Sequence, residues 1–159
     1  MTGCDALKLE GGSEISKTIK ILIRNNIPVM SHIGLQPQKI SSKKKYKVLG
    51  KSEREIKKVI KDLISIEKTG SFSVVLESVT EKLANKINKI SNIPVIGIGA
   101  SNKCDGQILV TEDLLGLFDK SPKFAKKYEN LRAKIRKAVK RYSNDVKYRV
   151  FPNKNNVYK

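Results

Sequence analysis

The chain has 159 residues, 39% of them hydrophobic, and a formal net charge of +18. That length accommodates one domain with a real core, and the apolar content excludes a disordered chain. No apolar run approaches the roughly 20 residues that span a bilayer, and no secretory leader opens the sequence, so a cytoplasmic location is expected.

Only six of the 33 basic residues are arginine, and tryptophan is absent. Nucleic-acid surfaces lean on arginine forks and stacking aromatics. Lysines recurring along polar helix faces fit solvated positions better than a specific nucleic-acid groove, although non-specific polyanion binding at low salt is expected. A basic nucleic-acid-binding protein is therefore a minor alternative. Cys4 and Cys104 fall before and after strand-like stretches, which makes them free thiols, and no Cys or His cluster has zinc spacing.

The chain alternates strand-like and helix-like stretches. Asp5 to Gly12 (DALKLEGG) reads as a short strand with Leu7 and Leu9 on one face, Lys8 and Glu10 on the other, ending at Gly11-Gly12. Ser13 to Asn26 puts Ile15, Ile19, Leu22 and Ile23 on one helical stripe. Ile27 to Gly34 is a second strand carrying the single histidine, His32. The connection Leu35 to Lys51 is longer than usual, as functional loops often are.

Ser52 and Glu55 form a capping box for a helix with its stripe on Ile56, Val59, Ile60, Leu63 and Ile64, ended by Thr69-Gly70. Phe72 to Glu77 is a third strand, with Phe72, Val74 and Leu76 outward and Ser73, Val75 and Glu77 inward. A short helix carries Leu83, Ile87 and Ile90. Ile93 to Ala100 is a fourth strand, and Gln107 to Val110 a fifth. The C-terminal helix is expected to start near Ser121-Pro122 and to dock a stripe from Phe124 through Tyr128, Leu131, Ile135, Val139, Tyr142 and Val146 on the domain's own core. The tail from Phe151 to Lys159 reads as irregular.

Strand–helix alternation with short turns implies parallel strands joined by right-handed crossovers. In such folds function collects at the carboxyl ends of the strands. Lys8, Glu10, His32 and Glu77 map to that rim, and Gly97 and Gly99 are expected to face it as well. Each has an ordinary reading: a surface ion pair for Lys8 and Glu10, a structural histidine, a helix-capping Glu77, and close packing for the glycines. GIGAS (97–101) fails as a dinucleotide fingerprint, because its third glycine would fall at Asn102. Convergence on one rim favours a site, in which Glu77 suits general-base work.

KLEGG, PVMSHIGLQPQ, YKVLGK, VVLESV, IPVIGIGA, DGQILVTEDLLGL and PKFAKKY, in that order, resemble the ketopantoate hydroxymethyltransferase (3-methyl-2-oxobutanoate hydroxymethyltransferase) family from about Asp5 to Val150. The resemblance implies a (β/α)8 TIM barrel of the phosphoenolpyruvate/pyruvate type, a homo-oligomer (typically a decamer) and a place in pantothenate biosynthesis. It implies transfer of a hydroxymethyl group from 5,10-methylenetetrahydrofolate to 3-methyl-2-oxobutanoate, with Mg2+ chelating the keto acid. By motif, Lys8 and His32 would bind substrate, Glu10 would help hold the metal directly or through a water, and Glu77 would be the proton acceptor.

A barrel of this kind takes roughly 250 residues, so residues 1–150 are expected to form the C-terminal part of one TIM-barrel domain, about strands four to eight. The family's first three strands, with two metal-binding aspartates and a substrate-gripping serine, have no counterpart, so Met1 reads as an internal methionine or the start of a truncated gene. Activity is then expected to need those strands from a complementing N-terminal fragment, the alternative being an inactive remnant. Lys44-Lys45 replaces a usual glycine pair, Ser101 stands where glycine is common, and Glu112 where histidine is common.

Overall fold

A computed structural model describes residues 3–39 and 47–158. Five parallel strands form one sheet in sequential order: β1 (Leu7–Glu10), β2 (Val29–Gly34), β3 (Ser73–Glu77), β4 (Val95–Ile98) and β5 (Gly106–Gln107). Three helices connect the first four strands: α1 (Ser16–Arg24), α2 (Glu53–Thr69) and α3 (Glu81–Ile90). The strictly sequential parallel order is that of part of a TIM barrel. The chain forms two compact units, residues 1–108 and 109–159.

In the first unit, strand alternation separates two faces of the sheet. Val29, Ile33, Val74, Leu76 and Val95 meet Ile19 of α1, Val59, Leu63 and Ile66 of α2, and Leu83, Ala84 and Ile87 of α3 in one buried cluster. Burying each Val, Leu or Ile side chain of this cluster contributes about 1.5–3 kcal/mol, so this face holds the unit together. Ile90 lies off that stripe and is exposed. The capping box of α2 forms as expected: Ser52 accepts from the Glu55 N–H, and Glu55 reaches back to the Ser52 N–H. Gly70 ends the helix in the left-handed conformation that its missing Cβ allows.

The opposite face follows from the register. Glu10 pairs with His32, His32 with Val75, and Glu77 with Gly34 on one side and Ile98 on the other. Lys8, Glu10, His32, Val75, Glu77 and Ile98 thus share the face that turns away from the helices, as expected for inward residues. Gly97 does not. It pairs with Leu76 on the helix-facing side, where an added Cβ would press on Cys104 and Gln107. The expectation that Gly97 faces the rim is therefore corrected: it is there for close packing, and Ile96 and Ile98 take the inward positions.

Two boundaries also move. The fifth strand is Gly106–Gln107 rather than residues 107–110. Asp105 accepts from the Val95 N–H and sets the chain beside β4, but after Ile108 donates to Gly97 the chain leaves the sheet. The C-terminal helix, α5, is Leu131–Lys147 rather than beginning at Ser121-Pro122. The N–H groups of Tyr128 and Leu131 are committed to the carbonyls of Leu114 and Leu115, at the end of the short α4 (Thr111–Leu114) and just after it. Asn130, whose side chain accepts from the Ala133 N–H, is the actual cap. Within its own unit, α5 buries no residue. Both cysteines are free, Cys104 buried and Cys4 exposed, and burial pushes the Cys104 thiol up. The segment containing Lys44-Lys45 lies outside the described residues.

Candidate functional site

The site grows from one buried side chain. His32 is 2% exposed, in the middle of β2 on the face away from the helices. Its Nε2 lies 3.2 Å from Glu77 Oε2, and its Nδ1 lies 3.8 Å from Glu10 Oε1. Neither nitrogen has an aligned hydrogen bond among the described residues. Buried ring nitrogens are normally satisfied, so a polar side chain held between two carboxylates without good partners is available to a ligand.

Gly34 makes the convergence possible. It sits across from Glu77 in the register, at φ 90°, and a Cβ there would collide with the Glu77 carbonyl oxygen. No side chain therefore fills the place opposite Glu77, and the carboxylate at the end of β3 reaches the imidazole. The next residue, Ser78, has positive φ and donates its N–H to Ile98, turning the chain out of the strand at once.

Glu10 is held from a second direction. Its Oε2 accepts from the backbone N–H of Gln38, in the 3-10 turn Pro37–Lys39 that follows β2. Lys8 lies two residues earlier on the same face, exposed, and makes no ion pair among the described residues. The surface Lys8–Glu10 pair considered from the sequence is thus not formed, and Glu10 engages the imidazole and the Gln38 amide instead. The structure brings Glu10, His32 and Glu77 together and leaves Lys8 beside them as an uncommitted cation.

Sequence reasoning missed three contributors. Gln38 acts through its main chain and has no side-chain signature. Glu14 accepts from the Gly12 N–H and pairs with Lys39 at 2.7 Å. Partial burial works against its charge, yet the Lys39 hydrogen bond and the backbone donors hold its carboxyl down at about 2. Asp62 of α2 is buried and accepts from both the N–H and the hydroxyl of Ser13. Its signal was visible, because an acid sits between Val59, Leu63 and Ile66 in the apolar stripe.

Among the described residues, no group of three or more His, Cys, Asp or Glu could hold a metal ion. Mg2+ asks less of a protein than that, often one or two carboxylates with water and substrate oxygens completing its octahedron. Glu10 fits that demand as one oxygen donor on the rim, and only as one. The described residues also contain no helix long and apolar enough to cross a membrane.

The chain is 48% identical over 158 residues to a 3-methyl-2-oxobutanoate hydroxymethyltransferase of Bartonella henselae, covering 99% of this chain and 58% of that protein. It is 46% identical over 159 residues to the enzyme of that name from Rhizobium etli, and 48% identical over 158 residues to one from Zymomonas mobilis, with the same shares. The chain thus spans about 58% of the length of these relatives. The model of the family described as ketopantoate hydroxymethyltransferase matches residues 1–154, nearly the whole sequence around this rim, and the chain belongs to that family.

Proposed function

We propose that this chain carries the enolate-forming half of a 3-methyl-2-oxobutanoate hydroxymethyltransferase site. The observation that carries the reading is the buried His32, whose ring nitrogens make no aligned hydrogen bond among the described residues, between the carboxylates of Glu10 and Glu77. Lys8 and His32 bind the keto acid: the ammonium faces its carboxylate, and an imidazole nitrogen takes a carbonyl oxygen as its missing partner. Glu77 then removes the proton from C3. The C3–H electron pair enters the C2–C3 bond, and the developing negative charge on oxygen is met by Lys8.

The resulting carbon nucleophile bonds to the one-carbon unit of 5,10-methylenetetrahydrofolate. Both carbon–nitrogen bonds of that unit break, a water oxygen becomes the hydroxyl of the product, and the C3 proton and one water proton end on the two nitrogens as tetrahydrofolate leaves. Mg2+, held in part by Glu10, supplies Lewis-acid polarisation of the keto acid when bound. The chain holds these roles as strands four to eight of the barrel. The family's first strands provide the remaining ligands, and the assembled enzyme is a homo-oligomer. Two features support the dependence: the chain spans 58% of its relatives' length, and among the described residues β1, which bears Lys8 and Glu10, pairs only with β2.

The test is to assay the purified chain with Mg2+, 3-methyl-2-oxobutanoate and 5,10-methylenetetrahydrofolate, alone and mixed with a polypeptide carrying the first strands of the Bartonella henselae relative. Turnover is expected only in the mixture, and Glu77→Gln should lower it by about 10²- to 10⁴-fold. Turnover by the chain alone sinks the dependence on further strands. Two folded partners without turnover favour an inactive remnant.

A further inference from the structure

We infer that Asp62 is a positioning residue for Glu10, acting through the turn Gly11-Gly12-Ser13. The ligand role of Glu10 rests on the function proposed above; the mechanical link from Asp62 to Glu10 rests on the geometry alone.

Asp62 lies on the buried face of α2 and is 2% exposed. A carboxylate among aliphatic side chains is costly unless donors surround it. Here its Oδ1 accepts from the Ser13 N–H at 3.0 Å and the Ser13 hydroxyl at 2.9 Å, while Oδ2 takes Lys58 Nζ at 2.7 Å. Ser13 is three residues beyond Glu10. Between them, Gly11 donates its N–H to the His32 carbonyl at 2.9 Å, and Gly12 has no side chain where a Cβ would collide with the Asp62 carboxylate. The turn is thereby pinned on one side to β2 and on the other to α2, and Glu10 is the last strand residue before it.

The clamp continues to the far side of the Glu10 carboxylate. Gly12 donates to Glu14, Glu14 pairs with Lys39, and Lys39 follows directly on Gln38, whose N–H binds Glu10 Oε2 at 3.1 Å. The backbone and the carboxylate of Glu10 are thus fixed by one connected set of bonds that begins at Asp62. An apolar residue at 62 would serve the core of α2 equally well. A buried carboxylate there selects one geometry of the turn, the specificity role that buried charges can play.

The experiment compares Asp62→Ala, Asp62→Asn and Ser13→Ala in the whole chain by NMR. Its readouts are amide exchange at Gly11, Gln38 and Val75, and the carboxyl 13C shift of Glu10. Asp62→Ala should speed exchange at Gly11 and Gln38 about tenfold while Val75 is unchanged, and should move the Glu10 carboxyl resonance. Asp62→Asn, whose amide oxygen still accepts from Ser13, should stay within about twofold of wild type. If Asp62→Ala does not fold, Ser13→Ala carries the same reading, with about threefold faster exchange at Gln38 expected. Wild-type exchange at Gln38 and a wild-type Glu10 resonance would overturn the inference. So would a rise shared equally by Val75, which would mark a purely structural role. Titrating 3-methyl-2-oxobutanoate while following the His32 ring is a separate arm: no shift there counts against the proposed function and leaves the Asp62 result as it stands.

Discussion

Helices α2 and α5 are the same length, 17 residues, and both carry apolar residues at helical spacing on a lysine-rich background. Their fates differ. In α2, Val59, Leu63 and Ile66 are at most 1% exposed against the strands of the sheet. In α5, Ile135, Val139, Tyr142 and Val146 are 45–59% exposed. Apolar periodicity specifies that a segment is an amphipathic helix; a complementary surface decides whether the stripe is buried. For α2 that surface is the outward face of β2 and β3, which the sequence supplies as Val29, Ile33, Val74 and Leu76.

The comparison predicts unequal costs for like substitutions. Leu63→Ala in α2 removes a fully buried side chain and should lower unfolding free energy by about 2–5 kcal/mol. Val139→Ala in α5 should change it by no more than about 0.5 kcal/mol. Denaturant titration of both variants reads the difference directly. Equal losses would break the contrast, because they would mean that the α5 stripe is covered in solution.

A smaller effect separates the two helix starts. Ser52→Ala removes the α2 cap and should cost about 1 kcal/mol of global stability, since α2 is part of the core. Asn130→Ala removes the α5 cap, an equivalent hydrogen bond to the Ala133 N–H. Because α5 buries no residue, that loss should appear only as reduced helicity at its first turn, with the denaturation midpoint unchanged. Circular dichroism and denaturant curves on the two variants separate local fraying from global loss.

How much could be read from the sequence follows the same division. The parallel strands and the faces of β1 and β3 were legible, because alternating residues in a half-buried strand leave a period-two pattern and short turns restrict topology, while the sequential order came only with the family resemblance. The convergence of Glu10, His32 and Glu77 was legible from their places along the strands, although His32 sits within β2 rather than at its end. Gly97 of β4 misled, since alternation gives two faces but only register says which one meets Glu77, and Ile98 does. The start of α5 was misplaced because Ser121-Pro122 is a plausible cap, while the amides that forbid a helix there bond to carbonyls of Leu114 and Leu115, distant in sequence. The partnerships of Asp62 and Gln38 stayed hidden for a related reason. One serves Ser13, 49 residues away, and the other serves Glu10 through a main-chain N–H, and neither partnership leaves a periodic trace.

The smallest predicted effect concerns pH and again contrasts the two helix starts. The hydrogen bond from Lys47, with those from the Lys51 and Ser52 N–H groups, holds the Glu55 carboxyl at about 2 instead of its ordinary 4.5. Glu129, next to the α5 cap, is also lowered, first by its bond with Lys134. A carboxyl depressed on folding adds stability that is fully present above its unfolded value, and this stability is lost as pH falls toward the folded value. Stability should therefore decline as pH drops from about 4.5 toward about 2, with Glu55 contributing to the global transition through α2. The Glu55→Gln variant should be less stable than wild type at about pH 6 and converge with it near pH 2. Glu129→Gln should show no such pH-dependent gap in the denaturation midpoint, only a looser α5 start in amide exchange. A gap of equal size in both variants would mean that α5 unfolds together with the sheet, and the exposed stripe would then need a covering surface.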